Sequence, residues 1–258
     1  MRNKHTKLKN SKNRKASSSK WLSRQLNDPY VKKSQSEGYR SRSAYKIMEI
    51  NNKFQIIKRN MRILDIGAAP GGWCQVTSEI LYSDTNKNSS SCKQDELVSE
   101  ESGGIALNTN HSDTNLIQNI KENHRIIAID LLPIDKIKGV TSIQKDFYDD
   151  DLKQVIMGYT NNQELNLILS DMSPNTTGIK SIDHARIMDM CERTFELAFN
   201  ILSSGGSVVC KIFQGGAEHT LLAILKQKFS TVKHFKPKSS RPDSKEIYIV
   251  ALNYKKNK

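Results

Sequence analysis

A doubly wound α/β domain, built on a mostly parallel seven-stranded sheet with helices on both faces, is the fold class this sequence predicts. Seven short apolar, β-branched runs alternate with longer stretches of helical period. Most of these runs are apolar at consecutive rather than alternate positions, as strands covered on both faces must be. One run breaks into a loop of small residues that opens a helix, the usual ligand-facing turn of such sheets. With 258 residues, 36% of them apolar, the chain can bury one core of this size.

Taken in order, a helix is expected over Ser43–Phe54, then a strand over Arg62–Gly67 (RILDIG), the small-residue loop, and a helix over Trp73–Tyr82. Strands follow at Arg125–Asp130 (RIIAID), Ser142–Asp146 and Asn166–Met172 (NLILSDM). Asp183 is a natural N-cap for a helix over Asp183–Leu202, in which Ile187, Met190, Cys191, Thr194, Leu197 and Ala198 recur at helical spacing. Gly205 and Gly206 turn the chain into a strand at Ser207–Phe213 (SVVCKIF); a helix at Ala217–Phe229 and strands at Thr231–Phe235 and Glu246–Leu252 (EIYIVAL) complete the set. No internal repeat is present. Between Asp84 and Asn123, 16 of 40 residues are Ser, Thr or Asn, seven are acidic and no apolar period exists, the composition of a disordered surface insertion. The expected organisation is therefore a basic, flexible arm over 1–20 and one domain over 21–258 that carries an insertion at about 84–123.

Charge is distributed unevenly. Met1–Arg62 holds 18 Lys/Arg against Asp28, Glu37 and Glu49, a net of +15, whereas the remainder, 22 against 24, is −2. A near-neutral body with its positive excess at one end points to a polyanionic partner. Lys20, Arg24, Lys32, Lys33, Arg40 and Arg42 are interleaved with Trp21, Tyr30, Tyr39 and Tyr45, the mixture of phosphate-neutralising and stacking groups that looped RNA requires. A second basic segment, Lys236 to Arg241, leads toward Glu246. The apolar runs, such as Leu165–Leu169, fall short of the ~18 residues of a membrane span. The first 20 residues hold no apolar stretch of a secretory signal. Cys74, Cys92, Cys191 and Cys210 form no CxxC pair and match no metal spacing with the histidines, so a reducing, cytoplasmic setting without a bound metal is expected.

The most specific local signal is Leu64-Asp65-Ile66-Gly67-Ala68-Ala69-Pro70-Gly71-Gly72-Trp73. Its glycines admit close approach of a ligand, and the helix N-terminus behind them supplies donors. The spacing is not GxGxxG, which disfavours a pyrophosphate cradle and a nicotinamide oxidoreductase. Folds of this class place an acid at the end of the next strand, ~20 residues on, to hold ribose hydroxyls. Asp130 is 58 residues past Gly72, and subtracting the 40-residue insertion leaves 18. Asp146, at the end of the third strand, is placed to accept from an adenine amino group. Lys211 lies within the apolar run Val208-Val209-Cys210-Lys211-Ile212-Phe213, where a lysine must be paired, snorkelling or functional.

The stretches SSSKWLSRQLNDPYVKKSQSEGYRSRSAYKI, DIGAAPGGW, AIDLLPI, SDMSPNTTG, KIFQGG and SSRPDSKEIYIVAL resemble the FtsJ/RrmJ (RlmE) family of S-adenosylmethionine-dependent ribosomal RNA 2′-O-methyltransferases. The likeness runs from about Ser17 to Leu252 and omits the insertion and the extreme termini. It is closer to the large-subunit rRNA branch than to the transfer-RNA branch, because KWLSRQLNDPYV and AIDLLPI are present. It implies a Rossmann-like class I methyltransferase fold and cofactor contacts from Gly71, Trp73, Asp130, Asp146 and Asp171. It also implies a catalytic Lys-Asp-Lys-Glu tetrad at Lys46, Asp171, Lys211 and Glu246, with Lys211 as general base. Cys74 stands where many members have Ser, and Ser173 where many have Ala; neither departure removes a needed group.

The resemblance further implies S-adenosyl-L-methionine as cofactor and a uridine in the A loop of large-subunit (23S) rRNA as substrate, presented by the assembled 50S subunit to a monomeric enzyme. Arg24, Lys32, Lys33, Arg40, Arg42 and Arg241 are the candidate RNA-binding residues. Two alternatives remain open here: ribose methylation in a tRNA anticodon loop, and a non-catalytic RNA-binding assembly factor that would not need the tetrad.

Overall fold

The computed structural model describes residues 16–82, 125–215 and 219–256; the expected insertion and the first fifteen residues of the basic arm lie outside them. In chain order the elements are α1 (Ala16–Asn27), α2 (Pro29–Ser36), α3 (Ala44–Phe54), β1 (Ile63–Ile66), α4 (Gly72–Tyr82), β2 (Ile126–Asp130), β3 (Val140–Gln144), α5 (Leu152–Tyr159), β4 (Leu165–Ser170), α6 (Lys180–Ile201), β5 (Leu202–Phe213), α7 (His219–Lys228), β6 (Phe229–Phe235) and β7 (Glu246–Tyr254). The seven strands form one sheet in the order β3-β2-β1-β4-β5-β7-β6. All pairs are parallel except those of β7, which runs antiparallel to both β5 and β6. The order reverses between β1 and β4, so the crevice beyond their carboxyl ends is where a ligand is expected in this architecture.

The central strands are covered on both faces. Leu64, Ile66, Ile127, Ile129, Ile168, Cys210, Ile212 and Ile249 pack under α5, α6 and α7. Ile63, Leu167, Leu169, Val209, Tyr248 and Val250 face α3 and α4. Successive residues of one strand enter opposite cores, which is why the runs read as continuously apolar. By the same alternation Asp65 in β1 and Lys211 in β5 point to the α3/α4 side. No helix among the described residues is long and apolar enough to cross a membrane.

Several expected boundaries move. β3 begins at Val140 and ends at Gln144, so Asp146 lies two residues past the strand rather than at its end. Its residues are only partly buried, as an edge position allows, and that weakens the apolar signal. Asp183 is not the N-cap of α6, which starts at Lys180. Its carboxylate instead reaches back from the first turn to accept from Thr177 N (2.7 Å), Thr177 Oγ1 (2.8 Å) and Gly178 N (3.2 Å), tying down the chain ahead of the helix. β5 follows α6 directly, with Gly205 at φ +78° inside it. Phe229 opens β6 rather than closing α7.

Helices α1, α2 and α5 are additions to the expected set, and the boundary expected at residue 20 falls inside α1. α2 has a clear local cause. Pro29 occupies its first turn, and Asp28 accepts from Tyr30 N (3.0 Å) and Val31 N (3.4 Å).

Candidate active site

Four charged side chains from four separate elements meet over the carboxyl ends of β4 and β5. Lys46 comes from α3, Asp171 follows β4, Lys211 lies in β5 and Glu246 opens β7. Lys211 Nζ sits 3.1 Å from Asp171 Oδ1 and donates to the Asp171 carbonyl at 2.6 Å. Lys46 Nζ is 2.9 Å from Glu246 Oε1 and 3.9 Å from Asp171 Oδ1. Both lysines are almost removed from solvent, at 8% for Lys46 and 6% for Lys211. A buried ammonium needs a partner. Asp171 and Glu246 supply it, and Asp171 joins the two halves of the cluster.

A fifth member carries no charge and was not expected. The Tyr248 hydroxyl donates to Asp171 Oδ1 at 2.6 Å, and its ring lies 5.7 Å from that of Trp73 and under Lys46 Nζ at 5.8 Å. Tyr248 is paired directly across β5/β7 with Lys211, two residues after Glu246 and therefore on the same face. The alternation Glu246-Ile247-Tyr248 is a usable sequence signal once the antiparallel register is known. Burial pushes the Tyr248 hydroxyl well above its ordinary value, and the neighbouring Asp171 and Glu246 charges act in the same direction. It remains a donor. Burial also acts to raise Asp171, but Lys211, Lys46 and the Tyr248 hydroxyl outweigh it and hold the carboxyl below its ordinary value.

Beside this cluster, beyond β1, β2 and β4, lies a cavity of about 340 Å³. Asp130, Asp146 and Asp171 contribute carboxylates to its wall; Ile66, Leu132, Phe147, Met172 and Met190 contribute apolar surface. That donor set fits a nucleoside with a positively charged tail. Carboxylates accept from ribose hydroxyls and an exocyclic amine, apolar side chains flank a heterocycle, and Asp171 faces the cation. Asp130 also works for the fold: Oδ2 accepts from Ala69 N and Oδ1 from Leu132 N, each at 2.9 Å, which leaves the second lone pair of each oxygen for a ligand. Asp146 accepts from Tyr148 N at 2.9 Å.

Gly71 and Trp73 do not line this cavity. Gly71 adopts φ +107°, and a Cβ there would lie 2.6 Å from Ile137 Cδ1 and 3.1 Å from Arg40 Nη1, so its lack of a side chain serves local packing. The Trp73 side chain is buried and donates from Nε1 to Ser43 O at 2.8 Å. What Trp73 can offer a ligand is its backbone N–H, since the first turn of a helix has donors without intrahelical partners.

The expected RNA-binding residues divide in two. Arg24, Lys32 and Lys33 are exposed on α1 and α2, although Arg24 pairs with Asp243 at 3.1 Å and Lys33 with Glu37 at 3.8 Å. Arg40 and Arg42 are committed to the fold. Arg40 donates to Pro70 O (3.2 Å), Asp135 O (2.8 Å) and Lys136 O (3.0 Å), clamping the glycine loop to the segment after β2. Arg42 donates to Asp28 and to the Ser239 carbonyl. Arg241 stands between the groups, donating to Asp28 Oδ2 (3.1 Å) and Gln25 Oε1 (3.0 Å) while lining an open cavity of about 230 Å³ with Arg24, Arg42, Lys46 and Glu246. Tyr45, expected to stack on bases, is buried and donates to Glu37 at 2.7 Å; Tyr39 donates to Glu79 at 2.8 Å.

Similarity to known proteins extends over nearly the whole chain. The model of the FtsJ-like methyltransferase family matches residues 39–254. A protein of Rickettsia bellii (strain RML369-C) named ribosomal RNA large subunit methyltransferase E is 45% identical over 254 residues, covering 98% of this chain and 96% of its own. The protein of the same name from Rickettsia africae (strain ESF-5) is 44% identical over the same shares. Among solved structures, a Plasmodium falciparum protein assigned as a ribosomal RNA methyltransferase superposes with a TM-score of 0.61 at 28% identity, over 84% of this chain and 98% of that one.

Proposed function

The chain belongs to the FtsJ-like methyltransferase family, and from that premise we propose that it methylates the 2′-hydroxyl of a uridine in the A loop of large-subunit (23S) ribosomal RNA. It uses S-adenosyl-L-methionine and acts as a cytoplasmic monomer on the assembled 50S subunit. The observation that carries the proposal is Lys211 Nζ, held at 3.1 Å from the Asp171 carboxylate where Asp171 also walls the nucleoside-shaped cavity. A proton-accepting group and a cavity suited to a cationic nucleoside thus sit on either side of one carboxylate.

Bound in that cavity, the cofactor supplies an electrophilic methyl group. Asp130 and Asp146 orient its ribose and adenine, and the N-terminal turn of α4 at Trp73 meets its carboxylate. Asp171 attracts the sulfonium and fixes Lys211. Lys46 and Glu246 close the opposite side of the cluster and hold the entering ribose in line. Lys211, after giving up its own proton to solvent, takes the proton from the 2′-oxygen, and transfer of the methyl group to that oxygen would break its bond to sulfur and leave S-adenosylhomocysteine to depart. Alignment and proton removal are what a ribose hydroxyl lacks in water.

RNA contacts are assigned to Arg24, Lys32, Lys33 and Arg241, whose cavity borders Lys46 and Glu246. Residues 84–123 are assigned to an insertion without a part in cofactor binding. Mapping 2′-O-methyl sites on RNA from cells with and without the gene tests the proposal. Loss of one methyl group from large-subunit rRNA is the expected result, and loss from a tRNA anticodon loop instead would overturn the substrate assignment.

A further inference from the structure

A cavity of about 480 Å³ opens at the carboxyl end of β5, apart from the cofactor cavity. One wall is the end of the strand itself, Phe213 with Gln214 and Gly215; the other is the start of α6, Lys180 and His184. Its floor is Ser244 and Lys245, just ahead of β7. Phe213 is the cross-strand partner of Glu246, as Lys211 is of Tyr248, so the cavity begins two residues, about 7 Å, beyond the lysine. Ser244 also lines the arginine-bearing cavity that holds Lys46 and Glu246. The tetrad therefore lies between a basic cavity on its α3 side and this one on its α6 side.

The chemistry of the cavity differs from both neighbours. Phe213 gives an aromatic surface. Gln214 and Ser244 present donors and acceptors, Lys180 and Lys245 supply exposed ammonium groups, and Asp183 adds one carboxylate, which already accepts from Thr177 and Gly178. The His184 ring lies so close to Gly215 that a Cβ there would fall 2.6 Å from His184 Cε1. His184 Nε2 is buried and has no hydrogen-bond partner among the described residues. Buried polar atoms without partners are uncommon in folded proteins, and an imidazole nitrogen beside a cavity is readily satisfied by a ligand.

Taken with the proposed reaction, on which this inference rests, we propose that the cavity receives an unstacked nucleobase of the RNA strand whose ribose is methylated. A nucleotide cannot bring its ribose hydroxyl to a lysine recessed near the carboxyl end of an interior strand while its base remains stacked in a helix. Enzymes that reach into nucleotides extrude them and must offset an unstacking cost of a few kcal/mol. Neither the tetrad nor the cofactor cavity offers a surface for that base, whereas an aromatic wall with a hydrogen-bonding edge and flanking cations is what a base and its phosphates require. The volume falls within the range of about 300–1,000 Å³ common to small-molecule sites.

The test pairs protein variants with RNA substrates that carry one abasic residue at successive positions around the methylated ribose, with kcat/KM for methyl transfer as the readout. For the wild type, one position should lose about 5- to 100-fold, the scale of one base stacked on an aromatic side chain. At that position Phe213→Ala, His184→Ala and Gln214→Ala should cause little further loss, while at other positions their losses multiply with the abasic loss, because the cycle isolates a shared contact. Gln214 is exposed, so its variant keeps the test valid if a core-facing one misfolds, and calorimetric titration of S-adenosylmethionine reports folding independently. Gly215→Ala, which must displace the His184 ring, should reproduce His184→Ala. Losses that multiply at every position for all variants would overturn the proposal. Absence of transfer by the wild type to any ribosomal RNA would instead remove the reaction on which it rests.

Discussion

Two carboxylates, one in β1 and one just past the end of the adjacent β4, meet opposite fates. Asp65 is in β1, in register with Leu169 of β4, and Asp171 lies two residues beyond Leu169. Asp65 is 1% exposed and accepts one bond, from Cys74 Sγ at 3.0 Å, while its Oδ1 has no partner among the described residues. Burial pushes it up to about 7; the Cys74 bond opposes this, and the Asp171 and Asp130 charges add to it. Asp171, with a side chain 16% exposed, is surrounded by two ammonium groups and a tyrosine hydroxyl and is held below its ordinary value. Depth alone does not decide the charge of a buried acid. The partners brought to it do, and only the acid that has cations around it can serve a cationic ligand and a lysine at once.

The largest effect should come from removing the cation at the centre of that contrast. Lys211→Ala is expected to lower single-turnover methyl transfer on ribosomal subunits by about 10² to 10⁴ while cofactor affinity, measured by calorimetry, stays close to wild type. Lys211→Arg should fail almost as badly, because a guanidinium does not give up its proton to become a base. Full rate in the arginine variant would make Lys211 a positioning charge only.

Asp171→Ala attacks the other partner and should harm cofactor affinity and rate together. It leaves two buried lysines with less compensation, at a cost on the order of 3–5 kcal/mol in denaturant unfolding. Because the folded carboxyl is depressed, its contribution is present above the usual carboxylate range and is lost as pH falls through its folded value. Unchanged cofactor affinity would detach Asp171 from the cavity.

Asp65→Asn should act in the opposite sense. With its folded value raised to about 7 against an unfolded value near 4, the native state binds more protons, so Asp65 favours folding below about pH 4 and loses that advantage as pH rises through 7. Relative to wild type, the variant should gain up to about 4 kcal/mol between pH 4 and 8, since each unit is worth roughly 1.4 kcal/mol. A stability difference that does not change across that window would show that Asp65 is not driven neutral by burial.

The smallest effects extend the same contrast to the arginines. Replacing Arg24, Lys32 and Lys33, whose side chains are exposed, should reduce the salt dependence of RNA binding by roughly 0.7 to 0.9 in slope per phosphate contact and leave cofactor affinity unchanged. Arg40→Ala, which frees the glycine loop, should lower cofactor affinity and leave the salt slope unaltered. An unchanged slope in the first variant would assign the arm to another partner.

Much of this was legible in the chain. Continuous apolar runs announced covered strands, and the loop from Gly67 to Trp73 announced the ligand-facing turn. The resemblance pointed to the four tetrad positions, which the fold brings within 2.9 to 3.9 Å of one another in pairs. The N-terminal helices were less visible because their faces are short and polar, although Asn27-Asp28-Pro29 is a capping signal that marks α2. Tyr248 is not legible in the sequence, because a tyrosine in an apolar strand reads as core until its partner across the sheet is known.

The sequence by itself determined the class of sheet, the ligand-facing loop and the identity of the charged groups at the strand ends, since periodicity, loop chemistry and strand ends are local properties. The tertiary structure decided what each of those groups does. Arg40 meets carbonyls 30 to 96 residues away, and Arg42 meets one 197 residues away, so neither is a free cation. Asp65 and Asp171 carry the same side chain, and one is driven toward neutrality while the other stays charged. A side chain's charge and role follow from the dielectric and the partners around it, and these are assembled from distant segments of the chain only when it folds.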